Sequence, residues 1–227
     1  MSVQGITARC LLLIALGLVY TTACHRASDD ETAPAPSGHV LSPDEVAEIE
    51  DDDNGLPVLP EFDPTGLKVG PFDLVDQQGE PFDTATLKNR VYVVDFFFTA
   101  CPVQCPKLSQ AFERLQHSLG NRGLRLLSIS VDPTNDTPDE LRRYARKYNA
   151  KPSQWTFLTG DHREIERVAH EVFRVPLQDR LHTEKFILVN RRGEIAGFYH
   201  GLDADSLQAL RQRATELLET PGDEGQL

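Results

Sequence analysis

The sequence predicts one α/β domain, a central mixed sheet flanked by helices, between about residues 61 and 220. Two observations carry that prediction. Short β-branched and aromatic runs of strand length alternate with longer segments whose apolar residues recur at helical spacing. After the last of these pairs the chain closes with a hairpin signal and one further amphipathic helix.

The elements follow in order. Phe72 to Asp76 and Glu80 to Phe82 flank Gln77-Gln78-Gly79, which predicts an N-terminal hairpin. Asp83 to Lys88 reads as a short helical turn. Val91 to Phe98 is a buried strand, too short for a membrane span. The helix over 103–119 carries Val103, Leu108, Ala111, Phe112, Leu115 and Leu119. Leu124 to Val131 is a second apolar strand. Thr137 is the N-cap of the next helix, with Pro138 at the first helical position, where a missing N–H costs little. Trp155 to Leu158 forms a third strand, and Asp161 caps a helix bearing Ile165, Val168, Ala169, Val172 and Phe173. Phe186 to Val189 and Glu194 to Tyr199 pair around Asn190-Arg191-Arg192-Gly193, and a last helix spans about 204–218. This succession describes a sandwich of the thioredoxin type, with the first long strand feeding the next helix and the closing hairpin beside it.

Two cysteines stand where that strand becomes that helix. Cys101 and Cys105 are four residues apart, so in a helical turn both sulfurs point to one side. Free N–H groups and the positive end of the helix dipole favour thiolate there. Such a pair cycles through a disulfide or holds a soft ion such as Cu(I); the bland reading is a structural disulfide or two buried thiols. Asp95 lies six residues earlier on the strand, where an acid either relays protons to a buried thiol or is merely a polar residue at a strand edge. Asp132 and Asp136 are expected to shape the following turn and helix cap rather than bind metal.

Upstream, Arg9 precedes an apolar run from Cys10 to Tyr20, of the length of a signal-peptide core. Residues 1–23 read as signal peptide or membrane anchor. Thr21-Thr22-Ala23-Cys24 resembles a bacterial lipobox, with Cys24 as the lipidated residue, although Thr21 replaces the usual Leu. An uncleaved anchor and cleavage with release are the rivals. All three place the rest of the chain outside the cytoplasm, in the periplasm or on the outer face of the membrane. Residues 24–60, rich in Ala, Pro and acidic side chains, read as a disordered linker, with His25 and His39 as solvated linker histidines; 221–227 read as a tail. The net charge of −12 argues against nucleic acid as a partner.

Phe98-Thr99-Ala100-Cys101-Pro102-Val103-Gln104-Cys105-Pro106 resembles the F-T-x-C-P-x-x-C-P signature of the Sco/SenC family. Ser128 to Thr137 resembles its S-V-D-P-x-x-D-T segment, and Trp155 to Gly160 its next strand and turn. His182, just before the hairpin strand, stands where the family has its third metal ligand. The resemblance implies a thioredoxin-like domain that binds one copper ion, Cu(I) or Cu(II), through Cys101, Cys105 and His182. It implies an extracytoplasmic, membrane-tethered chaperone for the dinuclear copper centre of cytochrome c oxidase. The expected partners are that copper-bearing subunit, or another copper protein, and a thiol-disulfide reductant. A thiol-disulfide oxidoreductase using only the cysteine pair is the second reading. A peroxidase is the third, and the close cysteine spacing speaks against it.

Other histidines are expected away from the site. His117 lies twelve residues beyond Cys105, roughly 18 Å along a helix at about 1.5 Å per residue. His162 and His170 fall on the solvent side of their helix, and His200 at the far end of the closing hairpin. Leu181 replaces the Asp that the family commonly carries before its ligating His, which leaves Asp179 or Glu184 as acidic support.

Overall fold

The computed structural model of the chain describes residues 63–177 and 183–220. Six strands form one mixed sheet in the order β1-β4-β3-β2-β5-β6. They are β1 (Val75–Asp76), β2 (Tyr92–Phe97), β3 (Arg125–Ser130), β4 (Trp155–Thr159), β5 (Lys185–Val189) and β6 (Ile195–His200). β2, β3 and β4 are parallel, while β5 runs antiparallel to β2 and β6 antiparallel to β5. The helices are α1 (Gln104–Leu119), α2 (Pro138–Lys147), α3 (His162–Arg167) and α4 (Ala204–Glu219). Among the described residues no helix is long and apolar enough to cross a membrane.

β2 is apolar at every position but Asp95, and the strand order gives the reason. β2 is central, all six of its residues are buried, and its two faces serve two cores. Val93 and Phe97 pack with Leu108 and Phe112 of α1, Tyr144 of α2 and Leu210 of α4. Tyr92, Val94 and Phe96 pack on the opposite face with Phe72, Ile165 and Phe173. The first core is aromatic at its centre: Phe112 meets Phe186 edge-on at 4.6 Å between centroids, and Trp155 stacks on Phe157 at 4.9 Å.

The N-terminal hairpin is a tight turn with a short ladder. Asp76 accepts from Gly79 N and donates to Glu80 O, and Val75 bridges Pro81. The ladder continues past Pro81, where Phe82 N donates to Leu74 O, and β1 also pairs antiparallel with β4. Thr137 caps α2 as expected, with Pro138 in its first turn. The helix after β4 is not uniform: α3 passes into a π turn over Val168–Val172. Its widened turn keeps Val168, Ala169 and Val172 all buried against the second core.

Candidate functional site

The parallel strands all end on one side of the sheet, where β2 delivers the chain to the Cys turn. Two features hold that turn. Cys101 N donates to Phe98 O at 3.3 Å. Asp136, fully buried, accepts from the Thr99 N–H at 3.1 Å, the Thr99 hydroxyl at 2.5 Å and the Ser130 hydroxyl at 2.6 Å. Asp136 is therefore not a helix cap, a role Thr137 fills alone. Its carboxylate crosses from the end of β3 to the end of β2, because Asp132 O turns the chain back by accepting from both Asn135 N and Asp136 N. Burial pushes the Asp136 carboxyl up despite these donors.

α1 opens without a side-chain cap, since Val103 at the N-cap position offers none. Sulfur takes that place: Cys105 N donates to Cys101 Sγ at 3.3 Å. Both cysteines are free thiols and both are buried, Cys101 at 6% exposure and Cys105 at 0%. Their acidities diverge. Burial acts to raise the Cys101 thiol, but hydrogen bonds from the N–H groups of Cys105, Val103 and Gln104 and from the Cys105 thiol outweigh it, so it falls below the ordinary range. Burial pushes the Cys105 thiol far up, and the adjacent Cys101 and Asp95 add to that. The arrangement is an attacking or ligating sulfur at the mouth and a protonated one behind it. Iodoacetamide at pH 7 is therefore expected to alkylate Cys101 and spare Cys105, with rates apart by about a hundredfold. Peptide mapping after brief alkylation reads this, and equal labelling would remove the asymmetry.

Asp95 is not at a strand edge. It is 1% exposed on the central strand, opposite Ser128, on the face toward α1. Desolvation pushes its carboxyl up to about 7, against a hydrogen bond from Ser128. Its Oδ1 has no partner among the described residues. Trp155 Nε1 donates to Ser128 Oγ at 2.9 Å, which leaves the Ser128 proton for Asp95.

Of the residues expected here, Cys101, Cys105 and Asp95 are brought together. His182 and Cys24 lie outside the described residues, as do Asp179, His25, His39 and the N-terminal segment to residue 62. His117, His162 and His170 are exposed on their helices, as expected. His200 is a correction. It pairs with Lys185, at the end of the hairpin nearest the Cys turn. Its Nε2 lies 2.7 Å from Glu184 Oε2, and the other Glu184 oxygen accepts from Gln104 Nε2 at 2.6 Å. Gln104 stands between the two cysteines, so Glu184 ties the start of β5 and the end of β6 to the Cys turn. The connection was readable in principle: strands joined antiparallel across 190–193 must place His200 back where β5 begins.

A thioredoxin-like domain with a polarised dithiol at an open helix N-terminus is the class that fold and site define. The SCO1/SenC family model matches residues 62–218, and the chain belongs to that family. The "SCO1 protein homolog" of Bacillus subtilis (strain 168) is 34% identical over 150 residues, 62% of this chain and 78% of that one. Among solved structures, BsSco, described as a member of the Sco family of cytochrome c oxidase assembly proteins with a disulfide switch, superposes with a TM-score of 0.63 at 29% identity, covering 70% of this chain and 98% of that one. Bradyrhizobium japonicum ScoI with copper bound gives a TM-score of 0.54 at 26% identity, covering 65% and 99%.

Proposed function

We propose that this chain is a membrane-tethered, extracytoplasmic copper carrier that serves assembly of the dinuclear copper centre of cytochrome c oxidase. One copper ion, its cargo, is held by the Cys101 and Cys105 thiolates and the His182 imidazole. The observation that carries the reading is the polarised, adjacent thiol pair at an uncapped helix start. Two thiolates and one imidazole suit soft Cu(I), and such a three-ligand site stays open enough for a recipient's ligands to displace the donors one by one. Copper bound in the Bradyrhizobium relative supports the cargo. His182 enters because it immediately precedes Thr183, and the antiparallel register Val94↔Ile187 brings the chain entering β5 alongside the end of β2. Glu184 is already bonded to Gln104 and His200, so its tie orients the hairpin entry as a whole. The domain over 61–220 follows a linker over 24–60, with Cys24 lipidated at the outer face of the membrane.

The same thiols must be reduced before they bind copper, which brings in a thiol-disulfide reductant as partner. The acidity split also favours a second reading, reduction of a partner's disulfide. Cys101 thiolate attacks one sulfur of that disulfide and the partner's other sulfur leaves as thiolate. Cys105 then loses its proton, with ionised Asp95 as acceptor, and attacks Cys101 sulfur. The partner leaves reduced and the Cys101–Cys105 disulfide remains.

Anaerobic titration of the reduced protein against a chromogenic Cu(I) competitor decides between them. One copper per chain is expected, lost in Cys101→Ala and weakened by about 10–100-fold in His182→Ala. Unchanged affinity in His182→Ala removes that ligand. No tight binding, with a readily reversible Cys101–Cys105 disulfide, makes the protein a reductase.

A further inference from the structure

The end of the sheet opposite the Cys turn is cationic on a chain whose net charge is −12. Lys88 and Arg90 precede β2, Arg125 opens β3, and Arg191 lies in the turn between β5 and β6. None of these four has a carboxylate within ion-pair distance among the described residues. Among the described residues, carboxylates of that end hold other partners: Asp63 accepts from Thr65 N, Asp83 accepts from Ala85 N, Glu194 pairs with Arg192, and Glu219 pairs with Arg122. Arg191 is spent on the carbonyls of Asn89 and Leu218, and its buried Nε has no partner among the described residues. Arg125 is depressed by burial and then by the charge of Arg90 beside it. Holding two guanidinium groups together without a counter-charge is unfavourable.

Two further features share this end. A cleft of about 560 Å³ opens between Lys88, Arg191 and Arg192 on its rim and Phe72, Leu87 and Tyr92 on its floor. The chain also enters the domain here. Gly66 N donates to Ile195 O, Ile195 N to Leu67 O and Val69 N to Gly193 O, so the strap 66–69 lies against the start of β6. Leu67 is one of only two large apolar side chains that stand exposed among the described residues.

We infer that this basic end, centred on Lys88, Arg90 and Arg125, docks on the phosphate groups of an anionic phospholipid bilayer. The choice of a bilayer rests on the membrane-tethered reading above, because the segment that carries the tether joins the domain at this same end. Phosphate oxygens supply the counter-charge that Arg90 and Arg125 lack among the described residues, and Leu67 meets the interfacial layer. The geometry has a consequence for the dithiol. A six-residue strand spans about 20 Å at about 3.3 Å per residue, so docking holds the Cys turn at that height, facing away from the bilayer.

The test is amide hydrogen exchange on the full chain in vesicles, paired with flotation. The vesicles are phosphatidylcholine alone or with about one-third phosphatidylglycerol. Exchange over 66–69, 88–92 and 190–193 is expected to slow about tenfold with the anionic lipid only, and to recover in about 0.5 M salt. The double variant Lys88→Glu/Arg90→Glu loses the protection, while Arg163→Glu near the dithiol end keeps it. Equal exchange in both vesicle types overturns the inference. Protection by inorganic phosphate without vesicles, to the same extent, also overturns it and makes the cleft a small-anion site. Failure to float with phosphatidylcholine alone would defeat the tether without touching the anionic-lipid result.

Discussion

Asp136→Ala loses about 3–5 kcal/mol of stability and loosens the Cys turn, the largest effect of any single substitution near the thiols. The reason is a count of stranded donors. The carboxylate accepts from the Thr99 N–H, the Thr99 hydroxyl and the Ser130 hydroxyl, and it is fully buried. Each buried donor left unmade costs about 1–3 kcal/mol, and Thr99, only half-buried, recovers some of that from water. Asp132→Ala is the matched control. Its side chain is half-buried and holds only Asn135 Nδ2, at 2.8 Å, so its loss is expected at or below about 1 kcal/mol. Denaturant titration of the reduced proteins reads both. A cost for Asp136→Ala no greater than that of Asp132→Ala would show that water substitutes for the carboxylate and that the turn is held by Cys101 and Phe98 alone. If the anchor holds the turn, the variant's Cys101 also loses part of its enhanced acidity, because the N–H groups aimed at its sulfur depend on where the turn places it.

How much of this was legible in the sequence divides along a physical line. Local patterns were readable. The run of β2, apolar but for Asp95, the Thr137-Pro138 start of α2 and the Cys101–Cys105 spacing each reflect interactions within a few residues, and all three appear where the pattern puts them. Strand periodicity tells which face a residue occupies but not which strand lies beside it. The sheet order is not the chain order, so Asp136 reaching Thr99 across 37 positions and Glu184 reaching Gln104 across 80 left no local trace. Asp136 read as a cap because Asp before Thr-Pro is ordinary cap chemistry. His200 stands fifteen positions beyond Lys185 in the chain, and only the antiparallel return of β6 brings the two side by side. The π turn at Val168–Val172 escaped for a different reason: its apolar spacing is still compatible with an ordinary helix.

Asp95 supplies the strongest pH dependence, and its sign follows from burial. Its carboxyl is raised from 3.8 to about 7 in the folded protein by desolvation. Between those values the folded state keeps a proton that the unfolded chain has released. Stability therefore falls as pH rises through that window and levels off above it. Over a gap of about three pH units at 1.36 kcal/mol each, the loss is about 4 kcal/mol. Asp95→Asn removes the titration and keeps the shape, so its denaturation midpoint is expected to be flatter from pH 4 to 7 than the parent's. Parallel profiles would mean that Asp95 is ionised throughout and solvated or paired in a way its orphaned Oδ1 does not suggest. The cost is informative about function. A buried carboxyl beside Cys105, bonded to Ser128 but with no partner for its Oδ1 among the described residues, destabilises the fold at the pH where the protein works, and an apolar side chain would fit the same strand position without that penalty. A group titrating near neutrality next to a thiol held well above it can take up the proton that thiol must lose, whether it goes on to bind copper or to close a disulfide. The same Asp95→Asn variant separates the two stages: closure of the Cys101–Cys105 disulfide slows, while alkylation of Cys101, whose acidity is set by α1 and not by Asp95, keeps the parent's rate.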